Sequence, residues 1–305
     1  MKPVPARSRA GVRLIHFTPL RYPGGKGKLA AFVKRLIEIN GLVDGEYVEP
    51  YAGGAAIAME LLIQGYVSRV HINDISKPVI AFWRAVLERT EEFCRLVVDT
   101  PLTVRAWDKQ RRVFSNPNQH EGIELGFATF FLNRTNRSGI FNAGVIGGRQ
   151  QKGRWKIDAR YNAAELVSRI ETIARLRSRI LVSRLDAIDF LEARLATLPR
   201  QTLVYLDPPY YVKGKALYHD FYGHEDHVEI SKFVQERLRR QRWIVSYDNV
   251  LQIRRLYSRQ PSIAYRVGYS AREARQGEEI MFCDRSLQMP DLAGGMRPLI
   301  KSGRA

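Results

Sequence analysis

Short apolar, β-rich segments alternate with helical segments along most of this chain, and this alternation constrains its fold more than any other feature. The predicted strands cover residues 47–51, 67–72, 180–183, 203–206 and 243–247, and a final hairpin pairs 264–269 with 279–283. The predicted helices cover residues 55–64, 75–89, 162–178, 187–196 and 225–239. Strands that alternate with helices predict a mostly parallel sheet with helices on both faces, which is an α/β fold.

A stretch at 90–161 interrupts the alternation. Its first part has a helical pattern, and its second part is loop-like, rich in glycine and strongly basic. The basic residues of the second part are Arg134, Arg137, Arg149, Lys152, Arg154, Lys156 and Arg160. We therefore expect an inserted, largely helical subdomain at 90–161, within a domain formed by 14–89 and 162–286. Residues 1–13 are predicted to be a basic tail and 287–305 a mobile C-terminal tail.

The charge balance points to a polyanionic partner. The chain carries 49 lysines and arginines against 31 aspartates and glutamates, a formal net charge of +18. The excess persists when both basic tails are left out, so nucleic acid is the simplest partner, with a general solubility charge as the alternative. No apolar run is long enough to cross a bilayer. The two cysteines, Cys94 and Cys283, form neither a CxxC pair nor a zinc cluster with histidines, which fits the cytoplasm.

The tetrapeptide Asp207-Pro208-Pro209-Tyr210 directly follows the predicted strand at 203–206. Open α/β sheets bind their ligands just past the carboxyl ends of strands. Two prolines end the strand and create a stiff turn that displays a carboxylate, backbone carbonyls and an aromatic ring. Such a turn suits an amino group on a flat heterocycle, because the acceptors take its hydrogens while the ring stacks on its face. A plain strand-ending turn is the alternative.

A glycine turn, Gly53-Gly54, lies between the predicted strand at 47–51 and the next helix. Glycines there let a ligand approach backbone N–H groups at a helix N-terminus, but the turn is not GxGxxG, which disfavours a nicotinamide oxidoreductase. Asp74 lies past the end of the next strand, where a carboxylate commonly holds ribose hydroxyls. The two features favour a nucleoside cofactor without a pyrophosphate. A packing glycine with a helix-capping aspartate is the alternative.

Two further positions are less specific. Lys26 is displayed by a Gly-Gly turn without the GxxxxGK[ST] pattern of a phosphate loop. The turn suits a small carboxylate and Tyr22 can stack on a ring, while a flexible basic loop is the alternative. Asp186 follows the predicted strand at 180–183, and it either accepts a hydrogen bond from an adenine amino group or caps the next helix.

These motifs occur in one order, and together they make the sequence resemble the DNA adenine methylase family, in which cofactor motifs precede the target-recognition region. The resemblance covers residues 17–285 approximately. The segments that carry it are 19–26, 48–54, 71–75, 207–210 and 244–248, with Leu217, Tyr218, Phe221, Asp226 and His227. Two departures are Ala55, where many members have another glycine, and Tyr51, where phenylalanine is usual.

The resemblance implies a Rossmann-like, S-adenosyl-L-methionine-dependent methyltransferase sheet with an inserted target-recognition subdomain. The implied activity is site-specific methyl transfer to N6 of an adenine flipped out of double-stranded DNA, without a metal. The implied cofactor-binding residues are Tyr22, Lys26, Tyr51, Gly53, Asp74, Asp186 and Asp207. By the same resemblance, we expect Asp207 and the Pro208 carbonyl to accept the two amine hydrogens and Tyr210 to stack on the base. The implied DNA-binding residues are Arg134, Arg137, Arg149, Lys152, Arg154 and Lys156, with Asn and Gln side chains of the insertion reading base edges.

Several alternatives stay open at this point. An N4-cytosine DNA methyltransferase is chemically the nearest, because the same tetrapeptide can hold the cytosine amine. A glutamine-N5 methyltransferase of proteins usually opens its two-proline turn with Asn, so Asp207 and the basic body disfavour it. A DNA-binding module on a decayed methyltransferase fold is disfavoured by the intact motif residues. The expected setting is a monomer on DNA in the cytoplasm and nucleoid, with a cognate restriction enzyme as a candidate partner.

Overall fold

The computed structural model describes residues 17–21, 26–212, 222–268, 276–292 and 296–298. Tyr22, Leu217, Tyr218 and Phe221, which the sequence singles out, lie outside the described residues, as does the side chain of Lys26.

The strands of the described residues form one mixed sheet. They are β1 (Glu46–Glu49), β2 (Arg69–Asn73), β3 (Ile180–Ser183), β4 (Thr202–Leu206), β5 (Arg242–Asp248), β6 (Ser262–Gly268), β7 (Gln276–Cys283) and β8 (Met296–Pro298). Their order across the sheet is β3-β2-β1-β4-β5-β7-β6-β8. The first five in this order pair in parallel, and β7, β6 and β8 pair antiparallel. The predicted α/β class with a mostly parallel sheet is confirmed.

The strand order reverses between β1 and β4. From β1 the chain builds outwards through β2 and β3, and it then returns to the other side of β1 to place β4 and β5. Open α/β sheets have a crevice at such a point, just past the carboxyl ends of the two strands. The glycine turn follows β1 and the tetrapeptide of Asp207 follows β4, so the topology brings both predicted motifs to this crevice.

Helices cover both faces of the sheet. They are α1 (Ala30–Ile39), α2 (Ala56–Ile63), α3 (Lys77–Glu88), α4 (Thr90–Asp99), α5 (Val104–Ser115), α6 (Gly122–Thr135), α7 (Ala163–Ala174), α8 (Ala187–Leu195), α9 (His224–Arg237) and α10 (Leu251–Leu256). Side chains alternate between two cores along β4. Leu203 and Tyr205 pack into one apolar cluster, and Val204 and Leu206 pack into the other. The strand is therefore buried on both sides, as its continuous apolar sequence predicts.

Helix α6 packs closely against α3. A Cβ added at Gly126 would lie 2.6 Å from the carbonyl oxygen of Ala81, so only glycine allows this approach. The rings of Phe82 and Phe130 stack with their centroids 6.1 Å apart, and Phe93 of α4 meets both rings edge-on. Helices α3, α4, α6 and α7 thus share one apolar core. Because this core includes residues on both sides of position 90, the inserted subdomain at 90–161 stays a prediction.

The C-terminal segment differs from the sequence-based expectation. A mobile tail from Leu287 onwards is wrong for the described residues, since β8 pairs with β6 and Met296 is buried. The amide N–H of Gln288 donates to Asn40 Oδ1, and Asn40 Nδ2 donates to the carbonyl of Gln288, both at 2.8 Å. Apolar side chains near the end of the chain complete the core, a role that short segments do not reveal by periodicity.

The remaining predicted strands and helices are present with shifted ends. The predicted helix at 162–178 ends at Ala174, and a separate 3₁₀ turn covers Arg177–Arg179. Helices α1 and α10 were not predicted. No helix in the described part of the chain is both long and apolar enough to cross a membrane.

Candidate active site and nucleic-acid interface

The turn after β1 has a backbone that suits glycine at two positions. Gly53 has φ 48°, and Ala55 has φ 44° and ψ 40°, which is the left-handed region. The N–H of Gly53 donates to Asp74 Oδ2 at 2.9 Å, and the N–H of Ser76 donates to Asp74 Oδ1 at 2.9 Å. Asp74 therefore joins the end of β2 to the glycine turn, and the predicted residues Gly53 and Asp74 are in direct contact.

Side chains that the sequence did not single out support this turn. The buried Trp83 of α3 donates its indole N–H to the Gly53 carbonyl at 2.9 Å. The hydroxyl of Thr18 donates to the Gly54 carbonyl at 2.6 Å. A tryptophan in an apolar helix is usually buried, and a buried indole N–H needs an acceptor, so the sequence indicated that Trp83 forms a hydrogen bond. Which acceptor it finds depends on how α3 packs.

Asp207 lies at the carboxyl end of β4. Its Oδ1 accepts a hydrogen bond of 2.8 Å from the hydroxyl of Ser246 on the neighbouring β5. Asp207 also lines a cavity at the point where the strand order reverses. The cavity is lined by Glu49, Tyr51, Ala52, Ala56, Ile57, Tyr205 and Asp207. The structure thus brings Asp207 and Tyr51 together and joins them to Asp74 through the glycine turn.

Glu49 is a site residue that the sequence reasoning missed. It ends β1, is 5% exposed, and accepts hydrogen bonds from Tyr47 OH at 3.0 Å and from the N–H of Ala58 at 3.3 Å. Burial raises the pKa of Glu49 to about 8, and the negative charge of Asp207 adds to the rise. Glu49 is therefore mainly a neutral acid at pH 7. The signal that pointed to it was an acidic residue directly after the apolar pair Tyr47-Val48, within the predicted strand at 47–51.

Tyr210 is fixed by a buried carboxylate. Its hydroxyl donates to Glu279 Oε1 at 2.6 Å, and Tyr265 OH donates to Glu279 Oε2 at 2.8 Å. Only 9% of Tyr210 is exposed, so its ring has a defined orientation. Just beyond it, Asp248 accepts the backbone N–H groups of Tyr211 and Val212 at 2.9 and 3.1 Å. These bonds anchor the chain after the two prolines to the end of β5.

An aromatic cluster connects Tyr51 to α9. The hydroxyls of Tyr51 and Tyr222 lie 2.9 Å apart, and the rings of Tyr211 and Tyr222 lie 5.1 and 5.5 Å from the imidazole of His227. His227 Nδ1 lies 3.1 Å from Tyr247 OH, and burial lowers the pKa of His227. The imidazole is therefore neutral at pH 7 and contacts three phenol groups, those of Tyr211, Tyr222 and Tyr247.

Asp186 caps a helix. Its Oδ1 accepts the N–H of Ile188 at 2.8 Å at the start of α8. It also borders a cavity whose other lining residues include Tyr222 and Asp226. The capping interpretation is thereby confirmed, and the contact with adenine stays a prediction.

A comparison with known families decides what kind of protein this is. The model of the family described as D12 class N6 adenine-specific DNA methyltransferase matches residues 22–270. The chain belongs to this family. It is an S-adenosyl-L-methionine-dependent DNA methyltransferase that acts on N6 of adenine, so the predicted resemblance and activity are confirmed.

Other comparisons add less. No curated protein sequence matches the methyltransferase significantly. Among solved structures, it is similar to the rRNA methyltransferase aviRa from Streptomyces viridochromogenes, with 10% identity, 91% of each chain covered and a TM-score of 0.37. That likeness is too low to carry an argument about this enzyme.

The predicted DNA-binding residues of the methyltransferase divide into two groups. Five are exposed: Arg137, Arg149, Lys152, Arg154 and Lys156. Arg149 forms a two-bond ion pair with Asp108, at 2.8 and 2.9 Å. The guanidinium of Arg154 lies 5.3 Å from the ring centroid of Trp155, which is 60% exposed. Trp155 is an aromatic surface within a basic loop, and the sequence reasoning did not single it out.

Arg134 belongs to the second group. It lies in α6 and not in the loop, and its burial lowers the pKa of the guanidinium to about 9.

The prediction that Asn and Gln side chains of the segment at 90–161 read bases is wrong for three of them. Asn133 bonds to the backbone of Arg21, Asn136 to the carbonyls of Ile140 and Phe141, and Gln151 to those of Ile146 and Gly148. These amide groups form hydrogen bonds with the irregular backbone of the segment, so they are not available to bases.

No cluster of His, Cys, Asp and Glu suited to a metal ion occurs within the described ranges.

Proposed function

We propose that this methyltransferase modifies adenine within a specific sequence of double-stranded DNA, and that Asp207 and the Pro208 carbonyl hold the reacting amine. One observation carries the proposal: Asp207 lines the cavity at the strand reversal, and its Oδ1 is oriented by Ser246. A carboxylate held by a buried hydroxyl cannot rotate freely, so its acceptors are arranged before substrate binds.

The chemistry requires acceptors more than a base. The N6 amine of adenine is a poor nucleophile because its lone pair is delocalised into the ring. Two acceptors on its hydrogens draw the nitrogen towards tetrahedral geometry and aim the lone pair at the methyl donor. The proton that the nitrogen loses passes to Asp207, and no covalent intermediate with the protein is needed. Tyr210, fixed by Glu279, would face the flipped-out base.

The described residues fit S-adenosyl-L-methionine, which supplies a methyl group on a positively charged sulfur. Asp74 and Asp186 place carboxylates past the ends of β2 and β3, where they suit the hydroxyl and amino groups of a nucleoside. Tyr51 offers an aromatic ring to a cation in the cavity that Asp207 borders. Gly53 and these three side chains form our proposed cofactor site. Tyr22, Lys26 and Asp207 remain predicted members of it.

We also propose that the segment at 90–161 recognises the target sequence and that Arg137, Arg149, Lys152, Arg154 and Lys156 contact phosphates. The plot of log K against log salt has a negative slope, and each lost phosphate contact reduces the magnitude of this slope by about 0.9. Neutralising Arg149, Lys152 and Arg154 together should therefore flatten the slope and weaken binding. An unchanged slope would remove them from the interface. A monomer acting on nucleoid DNA, with or without a cognate restriction enzyme, is the proposed setting.

The deciding experiment is Asp207→Ala. We expect the variant to bind duplex DNA normally in calorimetry, and to lose methyl transfer by at least about 100-fold. Asp291→Ala, at an exposed aspartate, is the matched control and should be fully active. Mass spectrometry of digested DNA should show N6-methyladenine, whereas N4-methylcytosine would favour the alternative base. Full activity of Asp207→Ala would overturn the proposal.

A further inference from the structure

Three arginines from separate parts of the chain lie in or near the segment at 18–21. Arg21 ends this segment, Arg134 lies near the end of α6, and Arg169 lies in α7. Arg169 Nη1 donates to the Thr18 carbonyl at 3.3 Å, so α7 is tied directly to the segment. In sequence, Arg21 lies within the segment 19–26, which resembles the first cofactor loop of the family.

The backbone of Arg21 is held against α6. Its N–H donates to Asn133 Oδ1 at 2.6 Å, and Asn133 Nδ2 donates to the Arg21 carbonyl at 3.0 Å. Gly139 has φ 73°, and a Cβ there would lie 2.2 Å from the same carbonyl oxygen. Asn133 directly precedes Arg134. The neighbourhood of Arg21 and Arg134 is therefore fixed by hydrogen bonds and close packing.

Acids balance the positive charges of this cluster only in part, through Glu165. Glu165 forms an ion pair with Arg169, and in the described part of the chain no ion pair involves Arg21 or Arg134. Arg21 Nη1 and Arg134 Nε are buried without a hydrogen-bond partner. Burial and the charges of Arg21 and Arg169 lower the pKa of Arg134, and the negative charge of Glu165 opposes this only in part. Burial and Arg160 lower the pKa of Arg21. Unpaired buried donors of like charge destabilise a fold unless an anion meets them.

We propose that Arg21, Arg134 and Arg169 form an oxyanion site whose occupant is a phosphate of the DNA backbone. The inference rests on the proposed function, because it takes DNA as the substrate. Guanidinium groups donate two parallel hydrogen bonds to a phosphate, and several of them can share one phosphate group. A phosphate held here would position the duplex relative to the proposed cofactor site, since Thr18 of the same segment bonds to the glycine turn.

The first test is stability without DNA or cofactor. In chloride, Arg21→Gln should keep or raise the melting temperature, because it removes one charge from a repulsive cluster. Replacing chloride by sulfate at equal ionic strength should raise the melting temperature of the native protein by more than that of Arg21→Gln. Arg175→Gln, at an exposed arginine after α7, is the matched control and should behave as the native protein does in both salts.

A lower melting temperature of Arg21→Gln in chloride, or an equal response to sulfate, would overturn the site. Arg134→Gln is the second variant and should give the same pattern if it folds. Neither measurement needs turnover, so the site can fail while methylation stands, and the reverse also holds.

The second test identifies the occupant. For duplex DNA, Arg21→Gln should reduce the magnitude of the slope of log K against log salt by about 0.9, which corresponds to the loss of one phosphate contact. It should leave the affinity for S-adenosylhomocysteine without DNA unchanged. If instead the cofactor affinity falls and the DNA slope stays the same, the oxyanion is the cofactor carboxylate, and the phosphate assignment is wrong.

Discussion

The hydroxyl of Ser246 donates a hydrogen bond of 2.8 Å to Asp207 Oδ1, across the neighbouring strands β4 and β5. The hydroxyl of Tyr205 lies 2.8 Å from the same Ser246 oxygen. A serine hydroxyl has one hydrogen, and in this arrangement it is donated to the carboxylate. Tyr205 is therefore the donor to Ser246, and the chain of bonds ends on a charged acceptor, which strengthens it.

Ser246→Ala should lower kcat by about 10-fold or more and change the KM for DNA little. A hydrogen bond to a charged group contributes about 1.5–3 kcal/mol, and here it orients the proposed acceptor of the amine. Ser231→Ala is the matched control, since this buried hydroxyl bonds only within its own helix, to the Val228 carbonyl. Steady-state methylation kinetics would decide, and equal effects of the two variants would contradict a role in positioning Asp207.

Glu49 should make the stability of the protein depend on pH. Its pKa is about 8 in the folded chain and near 4.5 when unfolded, so between these values the folded state holds a proton that the unfolded state has lost. The free energy of unfolding should therefore fall as pH rises from about 4.5 to 8, by at most about 1.4 kcal/mol per pH unit from this group.

Glu49→Gln should remove this fall and be more stable than the native protein above pH 8. Denaturation with urea at several pH values measures the effect. Glu60→Gln is the control, since Glu60 pairs with Lys34 near the surface, and it should keep the native pH dependence. A native-like profile for Glu49→Gln would show that Glu49 titrates normally.

Ala55→Gly should be nearly neutral or stabilising. The left-handed backbone of Ala55 costs about 1–2 kcal/mol with a Cβ, and removing the Cβ offsets the loss of one buried methyl group. Ala58→Gly, in the interior of α2 with normal helical geometry, should cost about 1–2 kcal/mol. Urea denaturation of both variants compares these values, and equal losses would contradict the strain at Ala55.

Trp155 should report and support DNA binding. The chain has four tryptophans, and the other three, Trp83, Trp107 and Trp243, are buried. Duplex DNA should therefore quench the fluorescence of Trp155 selectively. Trp155→Ala should remove the quenching and weaken binding by about 1–3 kcal/mol, as for other stacked aromatic contacts. Unchanged quenching in Trp155→Ala would place the DNA elsewhere.

Local sequence predicted the elements that carry the site. The apolar run at 203–206 and the two prolines at 208 and 209 predicted a strand that ends just before Asp207, and the structure has that strand. The positions of Gly53 and Asp74 after β1 and β2 followed in the same way, because parallel strands end at one edge of the sheet.

Pairings between distant residues were not predictable. Tyr210 with Glu279, and Trp83 with Gly53, join elements whose spacing in the chain carries no signal about their contact. The sequence placed Arg134 in a basic loop, because charge is visible in a sequence whereas burial depends on which helix face meets the core.

The sequence by itself determined the α/β class, the order of the motifs and the methyltransferase family, since these depend on periodicity and on short local patterns. Only the tertiary structure decided which side chains touch Asp207, that Glu49 holds its proton at neutral pH, and that the charges of Arg21 and Arg169 act on Arg134. Hydrogen bonding and desolvation act over a few ångströms in space, and residues far apart in the chain share that distance only once the strands have paired and the helices have packed.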